Sequence, residues 1–252
     1  MAMTIEKAVL YEKYRLPYAE RAVTDLLDYI GAVQVVADIG AGTGQLARLF
    51  AQKCTRVYAV EPDPAMRQVA STALANWANV ELRDGCGEQS TLAECSLDLI
   101  VVGNAFHRFG PEACTELRRI LKPSGWIALI THTWTNRVMS DRLMAELASR
   151  TEVVSRMDRA WRQTPAQALF GAGHIHTRRY SQSRNSDWTT FFGAARGGLE
   201  APVPRDQDFR PFEKLHREFF DAFAVEGTLQ IEYETHVMFG RPLAPGSASV
   251  GV

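Results

Sequence analysis

A chain of 252 residues with a formal net charge of −1 suits one α/β domain with an insertion or cap and can bury a large core. No long basic run occurs, which removes the electrostatic basis for a nucleic-acid or anionic-membrane surface; Arg178, Arg179 and Arg184 form the only local basic cluster and read as a solvated strand edge. Cys54, Cys86, Cys95 and Cys114 lack C-x-x-C spacing, and neither a secretory leader nor a long apolar span is seen, so a soluble cytoplasmic protein with reduced thiols is expected.

Val23, Leu26, Leu27 and Ile30 stand at helical spacing before Gly31 and predict an amphipathic helix. The β-branched run Val35 to Ile39 predicts a strand, Gly40, Gly42 and Gly44 a tight turn, and Leu46, Leu49 and Phe50 a helix after it. Thr55 to Val60 reads as the next strand and ends in Glu61. Asp63 and Pro64 then suit an N-cap and first helical position, with Met66, Val69, Ala70, Ala73 and Leu74 as one buried face. Asn79 to Arg83, Leu97 to Val102 and Trp126 to Thr131 are further strands, the last two apolar enough to be covered on both sides. Between those two, Pro111 opens a helix carrying Ala113, Leu117, Ile120 and Leu121, which Lys122-Pro123-Ser124-Gly125 ends. Five β-α units in succession imply a parallel, doubly wound sheet. Beyond Arg150 the alternation weakens. Ile175 to Ser181 suits a strand and Phe209 to Ala224 a helix, while Thr228 to Phe239 alternates one-sidedly, as an antiparallel strand near a sheet edge would. The Pro-, Gly-, Ala- and Ser-rich tail from Pro242 is expected to be disordered.

The glycine turn asks for a ligand, because three missing Cβ atoms let one approach the main chain and permit positive φ. A P-loop needs Lys-Ser/Thr after its last glycine, and Gly44 is followed by Gln45-Leu46. A dinucleotide site prefers G-x-G-x-x-G facing a pyrophosphate, whereas this turn is G-x-G-x-G behind Asp38, which repels phosphate. Glu61, at the end of the next strand, is placed to accept hydrogen bonds from a ribose diol. A nucleoside without phosphate fits, and a positive charge on it would suit the site.

These residues resemble the first motif, acidic-x-G-x-G-x-G, of the class I S-adenosylmethionine-dependent methyltransferases. Gly85-Cys86-Gly87-Glu88 is similar to that family's G-x-A-E stretch. Ala105-Phe106-His107-Arg108-Phe109 is similar to the A-F-H-W-F stretch of its small-molecule, methyltransferase type 11-like subgroup, with Arg108 where tryptophan is common. Tyr11 to Tyr18 is similar to the subgroup's N-terminal cofactor-covering segment. The resemblance implies a Rossmann-like, mostly parallel seven-stranded sheet with an antiparallel late strand and a C-terminal substrate-capping insertion. It divides the chain into a covering segment at 1–30, a cofactor-binding core at 31–150, capping segments and final strands at 151–242, and the tail at 243–252.

By the same resemblance, S-adenosylmethionine is the cofactor, S-adenosylhomocysteine its product, and no metal takes part. Asp38 and Gly40 face the methionine end, Gly42 lets the backbone approach, and Ala41, Gly44 and Pro62 complete the two loops. Glu61 holds the ribose, Met66 packs on adenine, and Gly85, Cys86, Gly87 and Glu88 close around the adenine edge. Asn104 and Ala105 offer backbone carbonyls to the cofactor's amino group, and Tyr14 or Arg15 takes its carboxylate. His107 is the candidate general base, following a strand end where ligands gather; a structural histidine shaping the loop is the equal alternative. Tyr18, His107, Arg108, His132 and Trp134 are candidate substrate contacts. Trp134, Trp161, Trp188, Phe191 and Phe192 suit either a flat substrate or a core. His174 and His176 lack acidic or cysteine partners for a metal. The expected activity is methyl transfer to O or N of a small-molecule metabolite by a monomer or homodimer, without nucleic-acid or membrane partners. Its rivals are a cyclase or rearrangement catalyst using the same cofactor, and a nonenzymatic cofactor-binding module.

Overall fold

The computed structural model describes residues 3–160, 165–171 and 173–242. Within them the chain forms two compact units, one from 18–131, 165–171, 173–180 and 236–242, the other from 3–17, 132–160 and 181–235. The expected tail at 243–252 and Trp161 lie outside the described residues.

The first of these units carries the parallel strands. β1 (Val35–Ile39) pairs in parallel with β2 (Arg56–Val60) and β4 (Leu97–Gly103); β2 pairs with β3 (Val80–Arg83), and β4 with β5 (Leu121–Trp134). With β6 (Ile175–Ser186) and β7 (Leu229–Gly240) the seven-stranded order is β3-β2-β1-β4-β5-β7-β6, mostly parallel with an antiparallel end, as expected. The near-continuous apolar runs follow from burial on both faces. Val36, Leu99, Val101 and Ile130 share one cluster with Val23 and Leu26 of α2 (Glu20–Ile30) and Leu46 and Phe50 of α3 (Gln45–Ala51). Ala37, Ile39, Ile100 and Ile127 share the other with Ala113, Leu117 and Ile120 of α5 (Glu112–Ile120). Asp63 caps α4 (Pro64–Ala73) as read, its Oδ1 accepting from the N–H groups of Ala65 and Met66 at 2.9 and 3.0 Å.

Two boundaries differ from the sequence reading. Lys122-Pro123-Ser124-Gly125 is not simply a helix terminator: α5 stops at Ile120 and the four residues belong to the start of β5. Leu97 faces Leu121 while Leu99 faces Trp126, so a bulge there absorbs the proline and glycine. Lys122 Nζ donates to Asp98 Oδ1 at 2.6 Å, and Asp98 Oδ2 accepts from the N–H groups of Gln34 and Val35 at 3.0 and 2.9 Å. The bulge is thereby tied to the strand entrances. β6 runs five residues past Ser181, through a polar stretch that no apolar alternation advertises.

The other unit is mainly helical: α1 (Ile5–Tyr14), α6 (Arg137–Arg150), α7 (Val153–Ala160), α9 (Trp188–Arg196) and α10 (Phe209–Phe223); α8 (Ala166–Phe170) belongs with the parallel strands. Its core is aromatic. Phe191, Phe219, Phe220 and Tyr233 form one cluster and Phe192, Phe212 and Leu215 another, with Trp188 stacked on Phe192 at 4.8 Å. Of the two readings open for the late aromatics, Trp188, Phe191 and Phe192 take the core one.

Candidate functional site

The glycine turn follows β1. Gly40, Gly42 and Gly44 all have positive φ, +76°, +58° and +85°, a region that L side chains enter only with strain. They differ in what else requires them. A Cβ on Gly40 would come within 2.6 Å of Ala105 Cβ, and one on Gly44 within 2.9 Å of both δ carbons of Leu74, so these two also serve packing. Four of the turn's backbone donors are committed. Gly40 and Ala41 N–H donate to the Val60 carbonyl at 2.8 and 3.0 Å, Gly44 N–H to the Ala41 carbonyl at 2.9 Å, and Gly42 N–H to Glu61 Oε2 at 2.8 Å. A loop whose N–H groups are spent in this way does not form the nest that a pyrophosphate requires.

Two buried carboxyls flank the turn. Asp38 is 1% exposed; its Oδ2 accepts from Ala47 N–H at 3.1 Å, while its Oδ1 is buried with no hydrogen-bond partner among the described residues. Burial, opposed by the Ala47 bond and reinforced by repulsion from Glu61, pushes the Asp38 carboxyl up to about 7. Glu61 accepts from Gly42 N–H through one oxygen and from Asp63 N–H through the other, at 2.9 Å, and burial raises its pKa also. Such a site favours a ligand that brings a positive charge and hydroxyl donors and disfavours phosphate. The residues fit S-adenosylmethionine, which offers a cationic methionine end to the orphaned Asp38 oxygen and a ribose diol to Glu61.

This arrangement gives Glu61 a double duty, with an expected consequence. Glu61→Ala removes both the acceptor for a diol and the anchor of Gly42, and should weaken S-adenosylhomocysteine binding by about 1.5–3 kcal/mol, the range for hydrogen bonds to a charged group. The diol is isolated by comparing adenosine with 2′-deoxyadenosine: the wild type should prefer adenosine and the variant should not. An undiminished preference in Glu61→Ala would place the ribose elsewhere.

The remaining loops meet on Phe109. A Cβ on Gly87 would sit 2.7 Å from its ring and one on Gly40 3.6 Å from it, and Glu88 Oε1 accepts from Gly110 N–H at 2.7 Å. Gly85 to Glu88 is closed by reciprocal backbone bonds between Cys86 and Gln89. Phe109 thus joins two glycines of separate motifs, a place that no sequence signal marks. Pro62 is exposed, its carbonyl accepting from Arg67 Nη1 at 2.7 Å; the same nitrogen reaches the Glu61 carbonyl at 2.8 Å, and Arg67 also pairs with Asp84. Met66 is buried on α4. Asn104, at the end of β4, holds φ +52° and donates from Nδ2 to the Tyr18 hydroxyl at 2.9 Å. Ala105 precedes a 3-10 turn, Phe106–Arg108, on which His107 and Arg108 are half-buried between buried Phe106 and Phe109.

Tyr14, Arg15, His132 and Trp134 belong to the other unit. There Arg15 caps α1 and lies over the Tyr11 ring at 5.1 Å, and Trp134 packs on the aromatic core. His132 meets Tyr233 edge-on at 5.6 Å; burial, and then the Arg15 charge, push its pKa down to about 3. It stays neutral near pH 7 and is a weak base.

Residues 37–129 match the family model described as a methyltransferase domain. That span runs from β1 into β5 and contains the glycine turn, Glu61, the Gly85 loop and the His107 turn. Residues 37–129 form a methyltransferase domain. An uncharacterized methyltransferase of Mycobacterium tuberculosis is 34% identical over 152 residues, 60% of this chain and 60% of that protein. The ubiquinone/menaquinone biosynthesis C-methyltransferase UbiE of Rubrivivax gelatinosus is 29% identical over 154 residues, 56% of this chain and 61% of that one. The match thus spans about three fifths of these relatives' lengths. The structure of the YcgJ protein of Bacillus subtilis superposes with a TM-score of 0.58 over 90% of this chain and all of that one, at 20% identity, and shares the fold. Among the described residues no helix is long and apolar enough to cross a membrane, and no group of three or more His, Cys, Asp or Glu stands ready to hold a metal.

Proposed function

We propose that this protein transfers a methyl group from S-adenosylmethionine to O or N of a small-molecule metabolite. The observation that carries the reading is the glycine turn whose glycine N–H groups are bonded within the chain and which is flanked by buried Asp38 and Glu61. Bound S-adenosylmethionine supplies a methyl group already activated by its sulfonium. Asp38 and Glu61 bind and orient the nucleoside and its charged end, the Gly85 loop and Asn104-Ala105 border the base, and Phe109 excludes water behind them. His107 takes the proton from an acceptor amine or hydroxyl, while Tyr18, fixed by Asn104, and Arg108 position that acceptor. Alignment of this kind contributes roughly 7–11 kcal/mol of barrier reduction, and a positioned base about 10²–10⁴ in rate. Likeness to a relative named as a C-methyltransferase extends the reading to a carbon acceptor. The four free cysteines suit a cytoplasmic protein, taken as a monomer or homodimer.

Calorimetric titration is the test. S-Adenosylmethionine and S-adenosylhomocysteine are expected to bind and NAD is not, since its pyrophosphate meets two carboxyls and a turn whose three glycine N–H groups are already bonded. Binding of NAD without an S-adenosylhomocysteine signal would overturn the assignment. Release of S-adenosylhomocysteine on turnover separates transfer from a rearrangement that merely uses the bound sulfonium.

A further inference from the structure

Arg184 does not belong to a solvated edge. Arg178 and Arg179 are exposed as expected, but Arg184, further along β6, turns inward. Its Nη1 donates to the Arg15 carbonyl at 3.2 Å, whereas its Nε and Nη2 are buried and meet no acceptor among the described residues. Those two nitrogens form one edge of the guanidinium, the edge that a planar carboxylate engages with two parallel hydrogen bonds. Two residues on, on the same strand face, Ser186 is fully buried and its Oγ likewise has no partner. Arg15 Nε is a fourth buried donor without an acceptor among the described residues.

The surroundings do not neutralise this charge. Tyr233 spends its hydroxyl proton on the Pro17 carbonyl at 3.2 Å, and His132, edge-on to Tyr233, is kept neutral by burial and by Arg15. Arg184 thus acts on Tyr233 and Arg15 on His132, two rings that meet edge-on. Glu12, one turn before Arg15 on α1, is already engaged. Charged donors left buried and unsatisfied are among the least favourable arrangements in a protein interior, and the group that relieves them is an anion.

We propose that Arg184, with Ser186 and Arg15, forms a binding site for the carboxylate of a small organic acid. The site does not rest on the methyl-transfer reading.

Wild-type protein saturated with S-adenosylhomocysteine is titrated with succinate and benzoate and with their neutral amides, succinamide and benzamide. At least one acid should bind while its amide does not. Arg184→Gln should weaken that acid about tenfold to a hundredfold, Arg184→Lys should restore only part of the loss because a point charge does not replace the fork, and affinity for S-adenosylhomocysteine should be unchanged. Ser186→Ala, which leaves the Arg184 bond to Arg15 intact, should also weaken the acid and guards against a folding defect in the arginine variants. Acids that bind no better than their amides would overturn the site. A loss confined to S-adenosylhomocysteine in Arg184→Gln, with the acids bound as in the wild type, would also overturn the proposal. Failure of the wild type to bind S-adenosylhomocysteine at all would strike the methyl-transfer reading and leave the carboxylate titration to be judged without it.

Discussion

Asp38→Asn should flatten a pH dependence of stability worth about 4 kcal/mol. In the folded chain the Asp38 carboxyl titrates at about 7, against 3.8 in the absence of the fold; about three units at about 1.36 kcal/mol each give that figure. The sign follows from the raised value. Below about pH 4 both states hold the proton and the group costs nothing; as pH rises toward about 7 the unfolded chain releases it first, stability is lost, and above about 7 the loss is constant. Asparagine keeps an acceptor for Ala47 N–H and carries no charge. Its amide N–H replaces the oxygen that has no partner, which costs about 1–3 kcal/mol but at every pH alike. Urea unfolding of both proteins from about pH 4 to about pH 8 therefore reads the effect as a difference: the variant should gain on the wild type as pH rises, then run parallel. Parallel curves throughout would mean that Asp38 ionises normally. The same buried acid gives binding a signature, since a cationic ligand that draws Asp38 into its ionised form releases a proton. Titration of S-adenosylmethionine near neutrality should show an enthalpy that varies with the buffer's own ionisation heat.

The parts of this fold that could be read from the sequence are those in which local and global preferences agree. β1, β2 and β4 are apolar because both faces are covered, and their periodicity needs no partner to be recognised. Asp63-Pro64 is a cap whose chemistry is complete within four residues. Glu61 was legible because its place depends on a strand end. What escaped depends on distant residues. Gly44 reads as a glycine that lets a ligand approach and Gly87 as part of a loop around adenine; Leu74 and Phe109 occupy the space beside them, contacts made across 30 and 22 positions. β6 is as polar as a loop because the second half of it works through Gln182, which accepts from the Thr235 hydroxyl at 2.6 Å, and through Arg184. Arg184 shows the limit most plainly. Composition counts it with its exposed neighbours, and only the fold reveals that its charge is turned inward.

His107→Ala should lower kcat by about 10²–10⁴ while leaving S-adenosylhomocysteine affinity nearly unchanged. The expectation rests on how the turn is built. Asn104 holds a left-handed conformation at the end of β4 and is pinned by its N–H to the Ile130 carbonyl at 2.9 Å and by its side chain to Tyr18. The next residues enter a 3-10 turn with the Phe106 and Phe109 rings buried edge to face at 6.0 Å on either side of His107. Its backbone is therefore fixed by packing while the imidazole itself stays half-buried, the combination that a positioned base needs. His132 does not share this role, because burial leaves it too weak a base near neutrality. An imidazole ordinarily titrates where metabolism runs, so loss of His107 should also remove the acid limb of the pH profile of kcat. Single-turnover rates separate its two possible duties. A fall of only a few fold with the limb intact would make His107 a residue that shapes the loop, leaving alignment by Asp38, Glu61 and the glycine turn to carry the transfer. An equal loss in S-adenosylhomocysteine affinity would instead place it against the cofactor, and Tyr18, held by Asn104 in the same unit, would be the next candidate for the base.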